Sequence, residues 1–144
     1  MPNGNVMNKY ALLLCCLVVS ACSTTPVTEQ TAKPVPRDRI YAPALVYNAA
    51  LPTKSRVSFF RDSGFFGSGC THEIFVNNIK AFAIEKSEYI HLSLDPGAYF
   101  FRLETGEICP NIATSQNTIL KEGGREVYRI LLPSDGSLRL TRTE

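Results

Sequence analysis

HEIFVNNIKAFAIEKSEYIHLSLDPGAYFFRLE, residues 72–104, is the stretch that decides the fold of this chain. It consists of short runs in which apolar and polar residues alternate, separated by turn-forming residues. At its start the alternation places His72, Ile74 and Val76 on one face, and a period of two is typical of a strand with one buried face. The stretch therefore predicts consecutive antiparallel strands at 72–77, 79–85, 88–94 and 98–104.

The turns within this stretch support the same fold. Asn77-Asn78 tolerates the left-handed backbone of a tight hairpin, and in Asp95-Pro96-Gly97 the proline fixes one φ angle while the glycine accepts a positive one. No segment keeps a helical period, and further strands are predicted at 56–61, 113–120, 126–132 and 137–142. This spacing predicts an all-β fold: a single antiparallel β-sandwich, immunoglobulin-like in architecture, with a small β-barrel as the alternative.

The beginning of the chain has the organisation of a bacterial lipoprotein signal peptide. Lys9 is positively charged, 11–20 is uncharged and mostly apolar, and Val19-Ser20-Ala21-Cys22 matches a lipobox. An apolar run of about ten residues is too short for the ~30 Å hydrocarbon core of a bilayer, which needs about 20. We therefore predict that residues 1–21 are removed and that Cys22 carries a lipid.

Charge and processing together predict the compartment and the partners. The chain carries 15 basic and 13 acidic residues, and the loss of Lys9 with the signal peptide lowers the net charge from +2 to +1. This small excess does not indicate a nucleic-acid partner. Ser23 after the modified cysteine favours sorting to the outer membrane. We expect a protein of the cell envelope that faces the periplasm and contacts the membrane through Cys22.

The mature chain is predicted to have two parts. Residues 22–39, CSTTPVTEQTAKPVPRDR, are rich in Thr and Pro and poor in apolar side chains. Such a composition does not build a core, and its prolines favour extended backbone. We expect a lipidated cysteine followed by a flexible tether over 22–39, and a β-sandwich domain over 40–144.

The cysteines predict one disulfide. Cys15 and Cys16 leave with the signal peptide and Cys22 is consumed by the lipid, so Cys70 and Cys109 remain as a pair in an oxidising compartment. In the chain-entropy description a bridge that closes a loop of this length stabilises the fold by roughly 4 kcal/mol.

The two histidines do not indicate a metal site or an active site. His72 follows Cys70 closely and His91 lies between the cysteines, but zinc sites usually show tighter Cys/His pairs in two clusters. A catalytic histidine needs an oriented nucleophile and a third group. The candidate partners for such a histidine are Asp62, Ser63, Ser68 and Glu73, but no catalytic motif includes them. We therefore predict no catalytic residue, no cofactor, no metal and no small-molecule substrate.

The segment RDSGFFGSGC, residues 61–70, contains the candidate contact site. Its glycines could form an anion-binding nest, but a phosphate loop leads into a helix and here a strand follows. We interpret them as permitting positive φ. Phe65 and Phe66 either plug the end of the sandwich, which is the favoured interpretation, or contact a partner if they are exposed. The candidate contact residues are Asp62, Ser63, Gly64, Phe65, Phe66, Gly67 and Ser68.

Five parts of the sequence carry a resemblance to a known group of proteins: Arg61 to Cys70, Phe75 to Asn78, Leu94 to Tyr99, Cys109, and Tyr128 to Ile130. Together with the lipobox they resemble a group of small lipoproteins of Gram-negative bacteria defined by a domain of unknown function. The resemblance covers about residues 40–144 together with the lipobox, and it implies a secreted β-domain with two cysteines and no catalytic residue to carry over.

The sequence thus predicts a lipid-anchored, non-enzymatic interaction or structural module in the periplasm, with an envelope protein as its possible partner. The alternative is an inhibitor or immunity-type lipoprotein that acts against a cell-wall hydrolase.

Overall fold

The structure is a computed structural model, and it describes residues 24–46, 51–106, 109–132 and 136–144. The predicted signal peptide and Cys22 lie outside the described residues. The described part contains nine strands: β1 Lys33–Pro34, β2 Ser55–Arg61, β3 His72–Val76, β4 Ile79–Ile84, β5 Glu88–Leu94, β6 Gly97–Thr105, β7 Ala113–Leu120, β8 Arg125–Leu131 and β9 Arg139–Arg142.

The strands form two packed sheets, so the predicted β-sandwich is confirmed. One sheet has the order β1-β5-β2-β8-β9 and the other the order β4-β3-β6-β7. The pairs are antiparallel except β1 with β5 and β2 with β8. No ladder joins the two sheets within the described residues, which excludes the barrel alternative.

The likeness to immunoglobulins concerns the two-sheet architecture and not the order of strands. Both sheets of an immunoglobulin constant domain are antiparallel, with strands ABED in one and CFG in the other. Here β2 and β8 pair in parallel, and β2 and β3 lie in different sheets. Residues 62–71, which we call the crossing loop, therefore run across one end of the sandwich. We call this the crossing end, and the opposite end, where the β3–β4 turn lies, the far end.

The predicted alternation in β3 is confirmed, since His72, Ile74 and Val76 are buried and face the opposite sheet. Asn77 and Asn78 adopt φ angles of 49° and 65°, as a tight hairpin requires.

The core is centred on Phe59 of β2. Its ring centroid lies 5.3 Å from those of Phe82, Phe101 and Tyr128, which come from three further strands of both sheets. Edge-to-face and stacked contacts of this kind add about 0.5–1.5 kcal/mol per pair to the burial of the rings. The aromatic cluster therefore joins the two sheets near the middle of the strands.

The prediction of a flexible tether over 22–39 is wrong for residues 24–39. These residues belong to a segment, 24–46, that lies along the sandwich and that we call the N-terminal strap. Val27 and Val35 are buried, with 4% and 6% of their surface exposed. The strap escapes prediction because its apolar side chains are few and its partners are distant in sequence: Lys33 and Pro34 pair with Glu88 and Tyr89 of β5.

The strap also covers a side of the sandwich where the two sheets have free edges. Its residue Ile40 bridges to Phe82 of β4, and Val46 bridges to Leu92 of β5. Arg39 forms a two-pronged ion pair with Glu88. Covering a sheet edge in this way protects its unpaired backbone groups from pairing with another chain.

Candidate functional site

Asp62, the first of the predicted contact residues, is an internal structural group. It has no exposed surface, and its Oδ1 accepts hydrogen bonds from the Val27 backbone N–H at 3.0 Å and from Arg129 Nη1 at 2.6 Å. Asp62 therefore fastens the strap and β8 to the crossing loop. Its assignment as a contact residue is wrong, and contact is left to residues 63–68.

The C-terminal end of the crossing loop is fixed covalently. Cys70 and Cys109 form the predicted disulfide, with Sγ atoms 2.03 Å apart and Cα atoms 5.8 Å apart. The bridge ties the loop to the connection between β6 and β7. Both ends of the loop are thus attached to the sandwich, one through Asp62 and the other through the disulfide.

Gly67 is the glycine on which the loop conformation depends. It adopts a φ of +62°, and a Cβ added there would lie 2.1 Å from Leu132 Cδ2. Its carbonyl accepts a hydrogen bond from the Cys70 N–H at 3.0 Å. Gly67 thus fits the interpretation that glycine is needed for a positive φ, whereas Gly69 has open space around it and does not require glycine for packing.

Phe65 and Phe66 are exposed, so the favoured interpretation that they plug the end of the sandwich is wrong. Phe65 is 75% exposed and Phe66 36% exposed. Their rings contact each other edge to face, with centroids 5.8 Å apart. The space beneath the loop is already filled by the Arg61 side chain, which is buried and whose Nη2 would lie 3.6 Å from a Cβ on Gly67.

The exposed part of the loop lies beside the beginning of the described chain. Thr25 donates its backbone N–H to the Ser63 carbonyl at 2.6 Å, and Ser63 donates in return at 3.0 Å. A Cβ added at Gly64 would lie 3.7 Å from Thr24 Cα. Neither 22–28 nor 63–71 contains an Asp, Glu, Lys, Arg or His residue. The crossing loop and the start of the strap therefore form one uncharged surface.

Buried polar groups lie beneath this surface. His72 has no exposed surface, and burial together with the nearby Arg61 charge lowers its pKa to about 4. Burial also lowers the pKa of Arg61. His72 is therefore a neutral core residue at pH 7. Nowhere in the described ranges do three or more His, Cys, Asp or Glu side chains cluster as a metal site would require.

His91 lies in the other sheet, in a cluster that sequence reasoning missed. Its Nδ1 is 2.8 Å from Ser58 Oγ, and its Nε2 is 3.1 Å from Glu29 Oε1 and 2.7 Å from Arg56 Nη2. Ser58 and His91 face each other across β2 and β5. The sequence alone did not predict this cluster. The register of β2 and β5 brings Ser58 opposite His91, and Glu29 comes from the strap, which is distant in sequence from both.

The cluster has a serine, a histidine and a carboxylate, but its electrostatics disfavour the protonated form of His91. A Ser–His–carboxylate site must stabilise an imidazolium. Burial and the Arg56 charge lower the pKa of His91, and Glu29 offsets this only in part. Glu29 also pairs with Arg56 at 2.8 Å. The arrangement is suited to fastening the strap to the sheet.

The residues considered as catalytic candidates from the sequence have other partners in the structure. Asp62 pairs with Arg129, and Glu73 pairs with Lys80 at 2.6 Å. Ser63 is held by the strap and Ser68 donates its backbone N–H to the Phe65 carbonyl.

Open grooves lie away from the crossing loop, two of them at separate places on the sandwich. One, of about 350 Å³, runs beside the strap and is lined by Glu29, Arg56 and Ser58 among others. The second, of about 630 Å³, lies at the far end, where Tyr99 and Ile119 contribute to its wall. Ile119 is 75% exposed, as is Phe65. Phe65 at the crossing end and Ile119 at the far end thus have the same exposure, and the far end also exposes Ile79, at 65%.

Comparison with known proteins leaves the site to be interpreted from its own geometry. No known family model matches the chain, and no curated protein sequence matches it. In the part of the chain that the structure describes, no helix has the length and apolar character needed to cross a bilayer.

Proposed function

We propose that the protein is a lipid-anchored, non-enzymatic contact module of the cell envelope. Cys22 carries the lipid, the sandwich faces the periplasm from the outer membrane, and residues 63–68 form the contact surface. The observation that carries the proposal is the exposure of Phe65 and Phe66 on a loop attached at both ends. A preorganised apolar loop binds without the entropic cost of ordering itself.

The lipobox supports the anchor. Two or more acyl chains give stable membrane attachment, whereas a single chain attaches only marginally. Clickable palmitate should label the wild-type protein and a Ser23→Ala control, and both should stay in the membrane fraction. The Cys22→Ala variant should lose the label and leave the membranes. Equal labelling of all three would overturn the assignment of Cys22 as the lipid site.

The contact surface is tested separately by photo-crosslinking in cells. A photoreactive residue at position 65 should give an adduct with a protein or with lipid, while the same residue at the equally exposed position 119 should give neither. Adducts at neither position, with labelling and membrane attachment intact, would remove the crossing loop as a contact surface and leave only the anchor.

An inhibitor of a cell-wall hydrolase is the second candidate, because such inhibitors present a fixed projecting loop to an enzyme cleft. The disulfide and the Asp62 contacts fix the crossing loop in this manner. An inhibitor should reduce the activity of at least one enzyme in a panel of muramidases and amidases, and a Phe65→Ser variant should lose that effect. No inhibition across the panel would exclude it.

A further inference from the structure

We propose that the partner of the crossing loop is the bilayer itself, and that Phe65 and Phe66 insert into the interface of the leaflet that holds the Cys22 lipid. The proposal rests on the proposed function, since it requires lipid on Cys22. It places the crossing end of the sandwich on the membrane, in place of a domain held away on a tether.

Chain length supplies the first argument. Thr25 is fixed to Ser63 by two backbone hydrogen bonds, and only Ser23 and Thr24 separate it from Cys22. At 3.3–3.6 Å per residue, Cys22 lies at most about 11 Å from Thr25. Acyl chains on Cys22 lie in the hydrocarbon, so this residue sits at headgroup level. The crossing loop is therefore confined to the neighbourhood of the membrane surface.

The chemistry of the facing surface supplies the second argument. Residues 22–28 and 63–71 carry no ionisable side chain apart from cysteine, so their approach to lipid strips no charge of its hydration. The nearest carboxylate, Asp62, is already buried and paired with Arg129. Phenylalanine is among the side chains that interfacial membrane-binding segments bury. The surface is thus apolar at its tip and uncharged over these two segments, while the exposed Glu85 and Lys86 lie at the same end of the sandwich.

Rigidity supplies the third argument. The disulfide and the Asp62 hydrogen bonds fix the loop before any contact is made. The exposed rings gain burial without the cost of ordering a free segment. Ile119 lacks this relation to the anchor, because its partner Ala98 lies seven residues along β6 from Thr105. That distance is about 23 Å at 3.3 Å per residue.

The absence of tryptophan from the chain makes a site-specific test possible. Phe65→Trp, and Ile119→Trp as the matched control, each introduce a single tryptophan at a position with 75% exposure. The full lipidated proteins are reconstituted in phosphatidylethanolamine–phosphatidylglycerol vesicles with acyl chains brominated near the headgroup. The emission of the Phe65→Trp variant should shift to shorter wavelength and lose most of its intensity by quenching, while the emission of the Ile119→Trp variant should be the same in brominated and unbrominated vesicles.

The outcomes separate this inference from the proposed function. Suppose that mass spectrometry shows the protein to be acylated and that it binds the vesicles. Unquenched emission from position 65 then overturns the membrane contact and leaves the anchor intact. Such a result with a defined protein adduct from position 65 in cells assigns the loop to an envelope protein. A protein without acyl groups that fails to bind vesicles overturns both. A Phe66→Trp variant repeats the measurement, so that a defect peculiar to one substitution does not decide it.

Discussion

The two most exposed large apolar side chains of the described residues lie at opposite ends of the sandwich, in different settings. Phe65 at the crossing end and Ile119 at the far end are both 75% exposed. Phe65 lies on a loop that is fixed by a disulfide and hydrogen-bonded through Ser63 to Thr25, the third residue after Cys22 in the sequence. Ile119 lines an open groove beside Arg142. Equal exposure therefore does not distinguish the two residues; their relation to the proposed anchor at Cys22 does.

The ends also differ in what holds them together. Beneath the crossing loop lie buried polar groups, Arg61, Asp62 and His72. At the far end the ion pair of Lys54 with Asp95 is more exposed, and its N–O distance of 3.5 Å is longer than the 2.6 Å of the Arg129–Asp62 pair. The stability of the crossing end should therefore respond to redox conditions, to charge removal and to pH more strongly than that of the far end.

Removing the disulfide should have the largest effect. The double variant Cys70→Ser, Cys109→Ser frees a loop whose ends are 39 residues apart, and the free energy of unfolding should fall by about 4 kcal/mol. Urea denaturation measures this loss. A decrease below about 1 kcal/mol would show that the bridge does not stabilise the crossing end as a chain constraint.

The Asp62→Ala substitution should cause the second-largest loss of unfolding free energy. Asp62→Ala leaves Arg129 and the Val27 N–H without their buried acceptor, and breaking a buried pair costs about 3–5 kcal/mol. This pair is only partly buried on the arginine side, so we expect about 3 kcal/mol by denaturation. The far-end control Asp95→Ala breaks an exposed pair and should cost less than about 1 kcal/mol. Equal losses would contradict the difference between the two ends.

Acid should destabilise the crossing end through His72. Its pKa is about 4 in the fold against about 6.5 in an unfolded chain. The unfolded chain therefore binds a proton first, so this contribution to stability is complete above about pH 6.5 and is lost as the pH falls toward 4. Between pH 7 and pH 5 the loss is about 2 kcal/mol.

The His72→Leu variant supplies the control for this pH dependence. It cannot bind that proton, so its unfolding free energy should fall less than that of the wild type over the same pH range. Parallel stability curves for the two proteins would show that His72 is not the group responsible.

The smallest effect should come from the exposed side chains themselves. Phe65→Ser and Ile119→Ser each replace a residue that is 75% exposed, and surface substitutions of this kind usually change stability by less than about 0.5 kcal/mol. Thermal denaturation of both variants checks this. A large loss for Phe65→Ser alone would mean that Phe65 supports the fold of the loop.

The strands of the sandwich were predictable because burial on one face imposes a period of two, as in β3 and β5. The strap was not, because Lys33 pairs with Glu88 and such long-range backbone pairing leaves no local pattern. The role of Asp62 was hidden for the same reason, since Arg129 lies 67 residues away. The orientation of Phe65 was undecidable because a loop without periodicity carries no burial signal.

The central claim is that the N-terminal strap is part of the folded crossing end, and amide hydrogen exchange tests it most directly. In the protein purified from membranes in detergent, the N–H groups of Val27, Lys33 and Val35 should exchange slowly, because they donate to Asp62, Ser87 and Tyr89. Exchange of these three amides at the rate of an unstructured peptide would contradict the account.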